Sequence, residues 1–161
     1  MAEGEFALVR QYLETVLVKS ASPVGAPTGD HDLYVMLADA AAPQRDEVAL
    51  RKYAPRAEET AARISHTLYT AIAHRAWGVA HCLAGDYAEA EARLDQALKI
   101  FQKLDTRWQL GRTWFEFGEL SRAQNKTEQA RDYFSLALTA FEEMRAVLDA
   151  ARTRAALESL G

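Results

Sequence analysis

The sequence predicts an all-α fold made of tandem antiparallel helix pairs, and three observations point to it. All four prolines, Pro23, Pro27, Pro43 and Pro55, precede residue 56, and the long stretch from Arg56 to Leu160 is dominated by Ala, Leu, Glu, Arg and Gln. Such a stretch favours helix after helix with short breaks. Apolar residues recur at spacings of three and four, first in Phe6, Val9, Tyr12, Leu13, Val16 and Leu17, which is the pattern of one helix face. Finally, the chain shifted by forty residues overlays itself, the mark of an internal structural repeat.

The elements follow in order. An amphipathic helix is expected over 1–19, centred on 4–19. Residues 20–31 hold Ser20, Ser22, Pro23, Gly25, Pro27, Gly29 and Asp30, a composition that makes a linker. A repeat domain then spans 32–161. Its first, degenerate pair covers 31–65, with helices at 31–42 and 45–65, and Pro55 is expected to kink or split the second. The second pair covers 67–104, with helices at 67–84 and 86–104. The third covers 107–144, with helices at 107–124 and 126–144. A last helix, 147–160, begins a fourth unit and caps the stack.

The overlay is specific. Phe101 to Leu104 lies over Phe141 to Met144, Gly111 to Thr113 over Ala151 to Thr153, and Glu119 and Leu120 over Ser159 and Leu160. Gly78, Ala90, Leu94 and Ala97 lie over Gly118, Ala130, Phe134 and Ala137. A fainter copy sets Tyr34, Ala38, Ala57 and Ile64 against His74, Gly78, Ala97 and Leu104. A glycine inside a helix costs about 1 kcal/mol relative to alanine. Close approach of a second helix is the natural reason for Gly78 and Gly118. Ala90, Ala97, Ala130 and Ala137 are then the small residues facing them, with Leu94 and Phe134 as bulk and Trp77, Trp114 and Phe117 filling the inner layer. Between the helices, Gly85 is a left-handed stop and Asp86 an N-cap. Asn125 takes the glycine's place in the next unit.

These small and large positions, with the turn at Gly85, Asp86 and Tyr87, resemble the tetratricopeptide repeat over about Asp32 to Leu160. The resemblance implies a right-handed superhelical stack of antiparallel helix pairs, a TPR-like α-solenoid whose concave face binds a protein or peptide. The family's usual period is 34 residues. A forty-residue period is similar to that of the sensor regions of large bacterial transcriptional activators, the maltose-regulon activator being the type. The resemblance thus implies an interaction or sensor module in bacterial signalling or transcriptional regulation.

Other classes are disfavoured. The 161 residues carry 19 Lys and Arg against 23 Asp and Glu, a formal net charge of −4. That is not the clustered positive charge that binds phosphates, so no direct nucleic-acid partner is expected. No stretch approaches 18 apolar residues, so no membrane partner is expected. Glu3 and Glu5 interrupt the start of the chain, unlike a secretory signal. The single cysteine, Cys82, cannot form an intramolecular disulfide and fits a reducing compartment. A cytoplasmic location is therefore expected.

No catalytic, metal or cofactor site is expected either. His74 and His81 share a helix face, but about 10.5 Å of helix axis separates them at 1.5 Å per residue, too far for one zinc ion. His66, His74 and His81 therefore read as packing residues, and Cys82 as a free thiol. The helix-spaced pairs Glu47 with Arg51, Glu59 with Arg63, Glu89 with Arg93 and Asp95 with Lys99 read as solvated stabilising pairs.

In a stack of this kind the first helix of each pair lines the concave face. The residues expected there are Val35, Met36 and Asp39 in the first pair, Arg75, Val79 and Cys82 in the second, and Arg112, Phe115, Glu116, Glu119 and Arg122 in the third. Phe115 and Arg112 are expected outside the inner layer, where they would take a partner carrying an apolar segment and an acidic group. The Lys/Asn pattern that clamps a C-terminal carboxylate is absent. Two alternatives remain at this point. One is a homo-oligomeric scaffold, with the N-terminal helix as a homodimer contact. The other is a small-molecule receptor in the concave groove.

Overall fold

The computed structural model describes residues 2–20 and 30–161. Residues 21–29, the middle of the expected linker, lie outside the described residues, as does the Phe6 side chain. Eight helices follow one another, and there is no strand among the described residues: α1 (Ala2–Ser20), α2 (Asp30–Ala41), α3 (Glu47–Arg63), α4 (Thr67–Ala84), α5 (Tyr87–Lys103), α6 (Arg107–Ala123), α7 (Thr127–Glu143) and α8 (Val147–Glu158). Helices α2 and α3, α4 and α5, and α6 and α7 pack as pairs. Each second helix also packs on the first helix of the next pair, α3 on α4, α5 on α6 and α7 on α8. The result is a TPR-like α-solenoid.

The turns are nearly identical. Arg45, Ser65, Gly85, Asp105, Asn125 and Arg145 all have positive φ, from 50° at Asp105 to 83° at Gly85. At each one two hydrogen bonds close the preceding helix. The Gly85 N–H donates to the Cys82 carbonyl at 3.2 Å and the Asp86 N–H to the His81 carbonyl at 2.9 Å. The Asn125 and Lys126 N–H groups do the same to Arg122 and Ser121, at 3.0 and 2.9 Å. This is the Schellman arrangement, which satisfies the carbonyls a helix end leaves over. The sequence pointed to only two of the six stops, Gly85 and Asn125; Asp105 is also a type that enters the left-handed region, whereas Arg45, Ser65 and Arg145 are not.

Two local expectations are corrected. Asp86 makes no side-chain capping bond; its carboxylate lies 3.6 Å from His81 Nδ1 instead. The side-chain caps are elsewhere: the Ala49 N–H donates to Asp46 Oδ1 at 3.0 Å and the Tyr69 N–H to His66 Nδ1 at 3.4 Å. Pro55 does not split its helix, since α3 runs unbroken from Glu47 to Arg63.

The core lies between the paired helices. A Cβ built on Gly78 would sit 2.7 Å from Leu94 carbons and 3.3 Å from the Ala90 carbonyl oxygen. On Gly118 it would sit 2.5 Å from the Phe134 ring, and on Gly111 2.9 Å from the Phe141 ring. Each glycine therefore lets a bulky side chain of the second helix reach the first helix's backbone. Ala90, Ala97, Ala130 and Ala137 are fully buried beside these contacts. Phe117 is buried, whereas Trp77 and Trp114 are only half-buried; the Trp77 Nε1–H donates to Glu58 at 2.9 Å.

Helix α1 packs on α2. Leu13 is buried there, with Val16 and Leu17 partly buried against the same cluster. Arg10 pairs with Asp46, and the Tyr53 hydroxyl donates to Glu14 at 2.7 Å. Leu8, Val9, Tyr12 and Val18 remain exposed, so part of the predicted apolar face has no cover.

Two substitutions test this packing in thermal melts. Gly118→Ala is expected to lower stability by about 1–3 kcal/mol, because Phe134 and its neighbours must shift to admit one methyl group. Ser65→Gly is expected to raise it by about 0.5–1 kcal/mol by removing a left-handed penalty at an exposed turn. An unchanged melting temperature for Gly118→Ala would refute the close approach of α6 and α7.

Candidate functional site

The inner face is built by α2, α4 and α6, and two ion bridges cross it. Asp39 on α2 is the first hub. Arg75 Nη2 donates to Asp39 Oδ1 at 2.7 Å, and Arg112 Nη1 donates to Asp39 Oδ2 at 2.7 Å. Arg112 Nη2 also reaches the Asp39 carbonyl at 3.1 Å. Arg75 is 1% exposed, and it also donates to Gln109, at 2.5 Å to Oε1 and 3.2 Å to the carbonyl. The second bridge starts at the α2–α3 turn. Arg45 donates to Glu116 at 2.5 Å and pairs with Glu119 at 2.7 Å; Arg122 donates to Glu119 at 2.6 Å. Both bridges link α2 to α6 across α4.

The electrostatics follow from burial and charge. Burial by itself would raise the Asp39 carboxyl, but the Arg112 and Arg75 guanidiniums overcome it and hold the group at about 2, below its ordinary 3.8. Burial and the neighbouring Arg112 charge bring Arg75 down to about 10, against the pull of Asp39, so it stays charged at neutral pH. Arg45 is partly buried, and that burial disfavours its charge, yet Glu116 and Glu119 more than compensate and raise it. A buried ion held this way is costly to strand, because its partner cannot return to water.

Several predicted site residues are consequently not on offer to a partner. Phe115 was expected on the surface; it is 5% exposed, with its ring 5.2 Å from that of Phe134, because the close α6–α7 approach draws it into the core. Val35, Val79, Glu116 and Glu119 are buried as well. Arg75 and Arg112 are committed to Asp39. Met36 is 49% exposed, and Arg122 is exposed. Trp108 is exposed on the same face, its Nε1–H donating to Asp149 at 2.9 Å and the Arg112 guanidinium lying 4.7 Å from its ring centroid.

One further residue belongs here. Arg152, on α8, places its guanidinium 4.2 Å from the Phe115 ring centroid, and no carboxylate ion-pairs with it among the described residues. Burial lowers its pKa, with Glu116 opposing. The signal was in the sequence, since the repeat overlay sets Arg152 on Arg112. Arg45 and Gln109 had no such signal. The cavity among Arg112, Phe115, Glu116, Asp149 and Arg152 is about 10 Å³, the room of about one water molecule.

The remaining candidates take structural places. His66 caps α4. His74 lies 3.0 Å from an Arg93 nitrogen, and burial together with Arg93 lowers its pKa. His81 stacks on Trp77 at 5.5 Å. Burial raises the Cys82 thiol, which keeps it protonated at neutral pH, the opposite of an activated nucleophile. Among the described residues no group of three His, Cys, Asp or Glu side chains converges as a metal site would require, and no helix is long and apolar enough to cross a membrane.

The small residues at the pair contacts, the left-handed stops and the stacked helix pairs together meet the pattern of one family. The family model for the tetratricopeptide repeat matches residues 69–143. That match spans α4 to α7 and supports a TPR-like family for the chain. No curated protein matches the sequence. A tetratricopeptide repeat domain suggests protein–protein interaction in general.

Removing the hub tests the inner face. Asp39→Ala strands the buried Arg75 and is expected to cost about 3–5 kcal/mol in denaturant unfolding. Because the folded Asp39 carboxyl lies below its ordinary value, its contribution is full above about pH 4 and is lost as pH falls towards 2. The parent should therefore lose stability over that window more steeply than Asp39→Ala. Parallel pH profiles for the two proteins would refute the hub.

Proposed function

We propose that the chain is a protein-interaction or sensor module of bacterial signalling or transcriptional regulation, and that it takes a partner segment on its inner face. The tetratricopeptide match over residues 69–143 carries the reading. The bacterial-regulator part is supported by the forty-residue spacing. The second helices begin at Glu47, Tyr87 and Thr127, and the left-handed stops fall at residues 45, 65, 85, 105, 125 and 145.

The segment that suits this face is short, apolar and acidic. Met36 and Trp108 offer apolar contact, and Arg122 and Arg152 offer guanidinium groups, Arg152 having no carboxylate partner among the described residues. Arg75, Val79, Arg112, Phe115, Glu116 and Glu119 would hold these groups in place from beneath. The cavity of about 10 Å³ is far below the roughly 300–1,000 Å³ of small-molecule sites, which favours a peptide lying across the surface over an enclosed ligand. Aromatic and arginine anchors also dominate protein interfaces.

An array of acidic, apolar peptides tests the reading. The parent is expected to bind a subset, and Trp108→Ala with Arg152→Ala to weaken that binding at least about tenfold, or roughly 1.4 kcal/mol, at unchanged helicity. Equal binding of the same peptides by parent and variant would exclude the inner face.

A further inference from the structure

The ion hub of the inner face has an unfinished copy one unit further along. The forty-residue overlay carries Asp39, Arg75 and Arg112 onto Val79, Phe115 and Arg152. In the hub, Asp39 binds both arginines, and Arg112 reaches it across 73 residues of chain. The same step back from Arg152 arrives at Val79, which is 1% exposed and packed in the core. The acid and one arginine have thus become apolar side chains, and one arginine is left. Arg152 lies over the Phe115 ring, 4.2 Å from its centroid, with no ion pair and no side-chain hydrogen bond among the described residues. Its nitrogens are within reach of solvent, because His81 Nδ1 is the one sealed side-chain nitrogen or oxygen without a partner among those residues.

The surroundings select the charge of what binds there. The two ion bridges set four arginines against Asp39, Glu116 and Glu119. The cavity beside them adds Arg152 and Asp149, and Asp149 already accepts from the Trp108 indole at 2.9 Å. Together these groups leave one positive charge, and Arg152 is the group without an ion pair. A single negative charge balances it. A second would face Glu116 and Asp149, which line the same cavity, and like charges at close range repel. Size agrees with charge. The cavity of about 10 Å³ holds one water-sized oxygen, which suits one oxygen of a planar carboxylate and not the three that a phosphate group presents. A carboxylate also matches the guanidinium fork.

We propose that Arg152 binds one aspartate or glutamate side chain of a partner segment, whose carboxylate serves Arg152 as Asp39 serves Arg112. The proposal rests on the inner-face reading and names the group which that face captures. A side chain is the source because a segment lying across the surface carries both its ends away from it. The other cations are committed: Arg45, Arg75 and Arg112 are held by acids of this chain, and Arg122 by Glu119. Arg152 therefore decides between acidic and neutral segments, while Met36 and Trp108 give apolar contact to both. The apolar Phe115 ring beneath the guanidinium strengthens the pair, since a charge-assisted hydrogen bond gains where water is excluded.

Two measurements on the full chain test it. The first follows arginine side-chain Nε–H signals by NMR, the Arg152 signal being the one lost in Arg152→Lys. N-acetylglutamate α-amide, which carries one side-chain carboxylate, is added to about 10 mM, for a dissociation constant on the order of 1 mM. It is expected to shift the Arg152 signal to saturation. The neutral N-acetylglutaminamide is expected to bind at least about tenfold more weakly, and so is N-acetylphosphoserinamide, a dianion at about pH 8. Arg122→Gln should leave the carboxylate's affinity within about twofold. No shift, an equal response to the neutral amide or tighter binding of the phosphoserine probe overturns the proposal. The second measurement uses acidic peptides of the array, acetylated and amidated at their ends, beside forms with glutamine in place of glutamate. The exchange should cost the parent at least about tenfold in affinity and cost Arg152→Gln nothing, which is the coupling a direct pair shows. Circular dichroism checks helicity, and should Arg152→Gln lower it, Arg152→Lys, which loses the fork and keeps the charge, replaces it. Capped peptides that fail where free ones bind overturn the proposal in favour of a C-terminal carboxylate. Peptides that bind parent and Arg152→Gln equally, yet are weakened by Trp108→Ala, overturn it and leave the inner-face reading standing. Binding of no peptide by any of these proteins overturns that reading and this proposal with it.

Discussion

Each helix from α2 to α7 is stopped by one residue held in the left-handed region, and the following amide is bonded back across the helix end. Only one of these six stops is glycine, so five residues accept an unfavourable backbone conformation to close the helix. The uniform stop makes α3, α5 and α7 equal in length, at 17 residues each. Equal helices joined by equal turns bring the same positions of successive units into the same contacts. That is why Gly78 meets Leu94 as Gly118 meets Phe134, and why the first helices lie side by side along one face.

The inner face is a consequence of that alignment. Once α2, α4 and α6 lie in a row, Asp39, Arg75 and Arg112 fall within hydrogen-bond distance, although they come from three units. The same holds for Arg45 with Glu116 and Glu119. Burying so many charges is tolerable only because nearly every donor and acceptor is met, Gln109 completing what Asp39 cannot supply to Arg75. Bracing and exposure are thereby separated on this surface. The committed ions brace α2 against α6, while Met36, Trp108 and Arg122 stay exposed and Arg152 is partly buried beside them. The burial of Phe115 illustrates the division, for its ring lies beneath the Arg152 guanidinium rather than at the surface.

The sequence alone determined the helical class, the pairing of helices and the small-to-large contacts, because these depend on local propensity and on a pattern that repeats along the chain. A glycine inside a helix and a forty-residue self-overlay are visible without any coordinates. The turns were half legible: Gly85, Asn125 and Asp105 are types that enter the left-handed region, whereas Arg45, Ser65 and Arg145 give no such sign. The site was the least legible. Periodicity showed which residues share a face of α6, but not whether that face meets solvent, an adjacent helix or a charge more than 70 residues away, as Arg112 meets Asp39. Only the tertiary structure decided that Phe115 is core and that Arg75 is a buried strut, because burial is a property of how units stack and not of any one unit's sequence.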